Sequence, residues 1–200
     1  MQDSEGEKIP MKDLRIEVIS HENMQHAEGF ETDNKELRDF LVEDALKNQE
    51  VGISTTYLWF YNPGNQLAAY VTILMDAIRV SGDLRDSFLG QGIGYKTLPA
   101  LKVGRLCVDK KYERRGIGKN IMYFVMEKAI HLSDEVGCRF IVVDAKKESE
   151  HFYRKLGFYV LKEREKGTIP MYFDIIDLLR LYKEHKIKLK DSIAKGRSSV

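Results

Sequence analysis

The chain has 200 residues, 43% of them hydrophobic, and 32 Lys and Arg against 31 Asp and Glu give it a formal charge of +1. That is length for one domain with appendages and enough apolar content to bury a core, which excludes wholesale disorder. The balanced charge excludes a global field that would draw the whole molecule onto a polyanion, so any such site has to be a local patch.

Residues 1–12 are polar and acidic with no signal-peptide core, and are expected to form a flexible tail. Leu14 to Ser20 alternates apolar and polar residues, the pattern of a half-buried strand. Asp33 or Asn34 can cap the helix that follows, whose apolar positions Leu37, Phe40, Leu41, Ala45 and Leu46 recur at helical spacing. Thr55–Tyr61 and residues 66–78 flank the turn Asn62-Pro-Gly-Asn65 and read as a hairpin. Residues 81–98 show no periodicity, contain Gly82, Gly90, Gly92 and Gly94, and are expected to be a long loop. Gly90-Gln-Gly-Ile-Gly94 has glycine spacing but no strand feeding it, so it does not read as a nucleotide fingerprint.

Residues 99–109 read as a strand, and Gly116 to about Asp134 as a long helix. Gly137 to Asp144 is a continuously apolar run, as in a strand covered on both faces. A short helix is predicted over about 148–156, ended by Gly157 as a left-handed cap. Strands are predicted over 158–161 and 171–175. The order β-α-β-β-β-α-β-α-β-β predicts an α/β protein with a mixed sheet of six to seven strands and helices on both faces. Residues 177–190 add a helix, and basic residues outnumber acidic ones from Arg180 to Arg197. The expected division is a tail over 1–12, the main domain over 13–176, and a C-terminal helix with a basic end over 177–200.

The two cysteines, Cys107 and Cys138, both lie in strand-like runs and read as buried thiols of a reducing compartment. Metal-ligand spacing is absent, so no metal is expected. No apolar run approaches the roughly 20 residues that span a bilayer. The expectation is a cytoplasmic protein with no membrane partner.

The segment with the most chemistry is Arg114-Arg-Gly-Ile-Gly-Lys119, set between an apolar strand and a long helix. A helix start presents backbone N–H groups with no intrahelical acceptor, and these bind phosphate. Gly116 and Gly118 let the backbone come close to a pyrophosphate because no Cβ intrudes. Arg114, Arg115 and Lys119 can add charge-assisted bonds, and the amides around Ile117 complete the cradle. The Walker spacing is absent.

On these residues the chain resembles the GNAT acetyltransferase superfamily. The family signature Arg/Gln-x-x-Gly-x-Gly/Ala falls on Glu113-Arg-Arg-Gly-Ile-Gly118, and its Phe-Tyr-x-x-x-Gly-Phe falls on Phe152-Tyr-Arg-Lys-Leu-Gly-Phe158. The resemblance covers about residues 14–175 and implies the GNAT fold over the main domain. It implies acetyl-CoA as co-substrate, a primary amine as acceptor, and direct attack in a ternary complex. Glu113 departs from the signature: turned inward it would repel pyrophosphate, and turned outward it leaves Arg114 or Arg115 to substitute.

The chain is more closely similar to the toxin-type GNAT proteins of bacterial toxin–antitoxin modules. The shared segments are Phe30 to Leu37 with Phe40-Leu41 and Asp44-Ala-Leu46, Gly52-Ile-Ser-Thr-Thr-Tyr57, and Gly104-Arg-Leu-Cys-Val-Asp109. This likeness implies acetylation of the amino group of an aminoacyl-tRNA and a ribbon-helix-helix antitoxin as partner. A homodimer is compatible with the sequence, which does not fix the oligomeric state.

Tyr153 is the candidate catalytic residue. The departing CoA sulfur needs a proton, and a nearby phenol is a general acid. The motif match supplies that preference, since position alone equally allows a core aromatic beside Phe152. His151 reads as an exposed helix residue, and Asp144 and Glu148 are weaker candidates for a base. Backbone N–H groups of Leu106, Cys107 and Val108 are candidates for the oxyanion role, and the family implies a splay between this strand and 140–144 that admits pantetheine. Arg105 reads evenly as a structural ion pair or a substrate contact. Two alternatives stand beside the charged-tRNA reading. One is a protein or small-molecule amine acetyltransferase. The other is a CoA-binding regulatory module without turnover, which Glu113 would support.

Overall fold

A 14-residue strand, β3 (Gln66–Arg79), forms the long central ladder of the fold. The computed structural model describes residues 6–162 and 167–197, with side chains as far as residue 186. Before β3 come β1 (Leu14–Val18) and β2 (Thr55–Tyr61); after it come β4 (Thr97–Val108), β5 (Phe140–Ala145), β6 (Tyr159–Val160) and β7 (Ile169–Asp174). Among the described residues they make one sheet in the order β1-β2-β3-β4-β5-β7-β6. All neighbours are antiparallel except β4 and β5. A parallel pair needs a crossover, and the 19-residue helix Ile117–Glu135 supplies it.

The helices are α1 (Lys35–Asp39), α2 (Ala45–Glu50), α3 (Gly82–Gly90), α4 (Ile117–Glu135), α5 (Glu150–Lys155) and α6 (Ile176–Arg197). Asn34 caps α1, its side chain accepting from Leu37 N–H at 3.4 Å. A π-helical turn, Phe40–Asp44, joins α1 to α2. Leu41, Ala45 and Leu46 from this stretch pack with Leu58, Phe60 and Tyr70 on one face of the sheet. Ile117, Ile121, Met122, Val125 and Ala129 of α4 bury against Val71, Leu101, Val103, Ile141 and Val143 on the other. Ile175 and Leu179, where α6 begins, join that second core.

The layered α/β sheet predicted from the element order is the one observed. Residues 81–98 are not the long loop expected. α3 occupies half of them, with Phe88 buried against Ile78, Val80 and Phe140. Its two apolar anchors, Leu84 and Phe88, sit one turn apart, too few to raise a helical period above the glycines at its ends. The tail reading also fails to describe residues 6–12. Ile9 is buried, and its N–H donates to the Arg115 carbonyl at 3.0 Å. No helix of the described residues is long and apolar enough to cross a membrane.

Candidate active site

The site begins with a break in the sheet. β4 pairs with β3 along its whole length, from Thr97 to Val108. It pairs with β5 only from Ala100 to Val103. Beyond Val103 the two parallel strands part, and a cleft of about 530 Å³ opens between them. Val103 to Val108 form one wall, Val143 to Lys146 the other, and Tyr153 reaches in from α5.

A bulge decides which amides face this cleft. Thr72 pairs with Arg105 but Ile73 pairs with Val103, so Gly104 is an extra residue in β4. One extra residue reverses the alternation of the strand. Asp109 N–H donates to Ala68 on β3 at 2.9 Å. Counting back by twos, the Cys107 and Arg105 amides also point to β3, and those of Val108 and Leu106 point into the cleft. Of the three predicted strand residues, Leu106 and Val108 therefore present amides, and Cys107 does not. Cys107 instead packs its thiol with Phe30 and Tyr70 on the far face, 3.3 Å from Thr32 Oγ1. Burial pushes that thiol's pKa up.

The turn that follows is anchored by Asp109, a buried carboxylate. Its oxygens accept from Lys111 N–H (2.9 Å) and Glu31 N–H (2.7 Å), tying the turn to the loop before α1. The sequence carried Asp109 inside a motif but offered no signal for this role. Arg114 (φ +58°) and Gly116 (φ +86°) take left-handed backbone on either side of Arg115. The first helical bond of α4 runs from Asn120 N–H to Gly116 O at 3.2 Å. The amides of Ile117, Gly118 and Lys119 precede it and have no intrahelical acceptor. A Cβ on Gly118 would lie 3.5 Å from the Phe152 ring and 3.9 Å from Val108, so the glycine keeps this end of the cleft open.

The basic side chains of the turn diverge. Arg115 Nε donates to the Glu7 carbonyl at 2.9 Å, and its guanidinium carbon lies about 6 Å from the Tyr61 and Tyr112 rings. The side chain is therefore engaged with the N-terminal segment and two aromatic rings. Lys119 Nζ lies 5.4 Å from the Tyr123 ring on the exposed side of α4. Arg114 is exposed. Glu113 is exposed too and stands on the cleft rim.

Tyr153 is buried, with its ring edge-on to Phe152 (5.0 Å) and Phe158 (5.4 Å). Among the described residues its hydroxyl makes no hydrogen bond, although Tyr153 lines the cleft. Burial pushes its pKa up to about 12, which keeps the phenol protonated. His151 is exposed on the opposite side of α5, as expected from sequence.

At the other mouth of the cleft the charges come in pairs. Lys102 Nζ bridges Asp144 (2.8 Å) and Asp76 (3.5 Å), and these contacts raise its pKa. Arg105 meets Glu36 at 3.6 Å, lies over the Phe40 ring at 5.1 Å, and donates to the Gly104 carbonyl. Lys110 pairs with Asp33. Asp144 is thus held by Lys102 and Glu148 stays exposed on the rim.

The fold that carries this cleft has counterparts among known proteins. The family described as acetyltransferase (GNAT) domain matches residues 18–171, and the chain belongs to that family. Among solved structures it is similar to a tyrosine-to-phenylalanine variant of KacT, with TM-score 0.73 and 22% identity over 84% of this chain and 99% of that one. AtaT complexed with acetyl-methionyl-tRNAfMet matches with TM-score 0.73 and 22% identity over 85% and 99%. AtaTR bound with AcCoA matches with TM-score 0.69 and 24% identity over 86% and 99%. At these identities the likeness is one of fold.

Proposed function

We propose that this acetyltransferase uses acetyl-CoA to acetylate the amino group of an aminoacyl-tRNA in a ternary complex, acting in the cytoplasm as a toxin held by a ribbon-helix-helix antitoxin. The observation that carries the acetyl-CoA reading is the fork between β4 and β5. Leu106, Val108 and Tyr153, whose hydroxyl has no partner among the described residues, line this cleft, and the start of α4 lies next to its Val108 end, where a Cβ on Gly118 would be 3.9 Å from Val108. The residues fit the co-substrate: Gly116 and Gly118 leave room for a pyrophosphate at the helix N-terminus, and the fork is a channel for an extended pantetheine arm.

Acetyl-CoA supplies the activated acetyl group as a thioester. The amides of Leu106 and Val108 are placed to stabilise the negative charge that develops on its carbonyl oxygen. As the new C–N bond forms and the C–S bond breaks, the Tyr153 hydroxyl donates its proton to the leaving sulfur. The extra proton of the amine passes to solvent, from which the phenol is reprotonated. No side chain is needed as base if the acceptor is an aminoacyl ester, whose electron-withdrawing ester lowers the amine's pKa below that of an ordinary α-amino group.

Support for the acceptor comes from fold neighbours: AtaT has been solved with acetyl-methionyl-tRNAfMet, and an AtaT variant with the C-terminus of the antitoxin AtaR and acetyl-CoA. One observation favours a second reading, a protein or small cationic amine as acceptor. Asp33, Glu36, Glu113, Asp144 and Glu148 line the cleft against Lys102, Arg105 and Lys146. Two basic residues that follow β4, where a tRNA would need positive charge, are also engaged within the fold, Lys110 with Asp33 and Lys111 with Gln66. The basic side chains beyond residue 186 lie outside the described residues.

Isothermal titration with acetyl-CoA, followed by thiol release with charged tRNA and with a panel of amines, tests the proposal. Heat of binding and thiol release with charged tRNA support it. Absence of heat at millimolar acetyl-CoA rejects the cofactor. Release with free amines alone selects the second reading, and binding without any release marks a regulatory module.

A further inference from the structure

The N-terminal segment is built against the turn that the proposed function assigns to the CoA pyrophosphate. Four contacts tie them together. Ile9 N–H donates to Arg115 O at 3.0 Å. Arg115 Nε donates to Glu7 O at 2.9 Å. Asn120 Nδ2 donates to Ile9 O at 3.5 Å. A Cβ added to Gly6 would lie 3.2 Å from Arg115 Cγ, so that backbone runs directly over the arginine stem. The segment is held at its far end as well. Ile9 belongs to the same buried cluster as Tyr112 and Ile117, and Pro10 leads through a single 3₁₀ turn into β1.

These contacts fall on the peptide that decides where the cradle points. Arg115 lies between two left-handed residues, Arg114 and Gly116. A left-handed conformation is costly for arginine and shallow for glycine, so this turn has little local preference to hold it. In a trans peptide the N–H of the next residue points opposite to the carbonyl. The bond from Ile9 fixes the Arg115 carbonyl on the strap side, which directs the Gly116 N–H away from the strap. The neighbouring peptide is fixed locally, because Gly116 O accepts from Asn120 as α4 begins. One amide of the cradle is therefore aimed by the helix and the adjacent one by the N-terminus.

We propose that residues 6–10 are a positioning strap for the pyrophosphate turn, with the Ile9 amide and the Glu7 carbonyl holding the Arg115–Gly116 peptide so that its N–H meets the diphosphate of the CoA thioester. This rests on the acetyl-CoA reading above. Arg115 is in this account a positioning residue: its guanidinium grips the strap and not the ligand.

The test uses the 200-residue chain and two variants. Ile9→Pro removes the amide donor, and Arg115→Met keeps the stem while removing the donor to Glu7. Acetyl-CoA is titrated by calorimetry, and S-acetylpantetheine, which lacks the diphosphate, by ligand-detected NMR. Each variant is expected to weaken acetyl-CoA binding about ten-fold, the loss of one charge-assisted hydrogen bond, and to leave S-acetylpantetheine binding unchanged. A merely structural role would weaken both ligands together. If wild-type protein binds acetyl-CoA and a variant loses both ligands in proportion, or neither, the strap is refuted. If wild-type protein binds no acetyl-CoA, the underlying reading fails first. Should Ile9→Pro not fold, Arg115→Met decides alone, since its side chain is only half-buried.

Discussion

Replacing Tyr153 by phenylalanine isolates a single atom. The ring is wedged between Phe152 and Phe158, with centroids 5.0 and 5.4 Å away, and the substitution keeps those contacts. The hydroxyl has no hydrogen-bond partner among the described residues, so its removal leaves no donor or acceptor stranded, and folding stability should change by less than about 1 kcal/mol. Acetyl-CoA affinity should also hold, since the proposed diphosphate site is at the start of α4 and not at Tyr153. Turnover should not hold. A positioned general acid contributes about 10²–10⁴ in rate, which is roughly 3–5 kcal/mol of barrier. The assay is thiol release under saturating acetyl-CoA beside calorimetric titration of the same preparation. A turnover loss of at least about ten-fold with unchanged affinity is expected on that scale. Unchanged turnover would remove Tyr153 from the mechanism, and a matched loss of affinity would make it a packing residue.

Other outcomes follow from the same geometry. Gly118→Val places branched methyls where a Cβ already lies 3.5 Å from the Phe152 ring, so acetyl-CoA affinity should drop while the melting temperature stays within a few degrees; titration and thermal unfolding check both. The raised pKa of Tyr153, about 12 against an ordinary 10, makes the fold lose stability in alkali. Above pH 10 the unfolded state binds fewer protons than the native state, so this contribution is full below pH 10 and lost as pH rises toward 12. It amounts to about 2–3 kcal/mol, and urea unfolding at pH 9 and pH 11 should show a smaller difference in Tyr153→Phe. The same shift predicts a rate profile without an alkaline fall below pH 10. If the acceptor is charged tRNA, its affinity should fall by at least about ten-fold between 50 and 200 mM salt; a salt-independent acceptor KM contradicts that choice.

Much of this was legible in the chain. The hairpin around Asn62-Pro-Gly-Asn65 and the capped helix after Asn34 follow from turn chemistry and period. So does the long helix opening at Gly116-Ile-Gly118, and the motif around Tyr153 led directly to the cleft. What was hidden is non-local. The bulge at Gly104 is a matter of register with β3, and it decides that the Leu106 and Val108 amides, and not that of Cys107, face the fork. Ile9 is one apolar residue in a polar stretch and carries no periodicity, so nothing marked it as buried. Arg115 sits in a motif where basic residues are read as phosphate ligands, yet its side chain answers to a carbonyl more than a hundred residues earlier. Asp109 acts through two main-chain amides, and main-chain partners leave no trace in composition.

The most direct test of the account is a crystal structure of the protein with acetyl-CoA bound. The diphosphate is expected within hydrogen-bond distance of the amides of Gly116 to Lys119, the pantetheine between β4 and β5, and the thioester sulfur beside the Tyr153 hydroxyl. A ligand seated elsewhere, or a fork left empty at saturating acetyl-CoA, would contradict it.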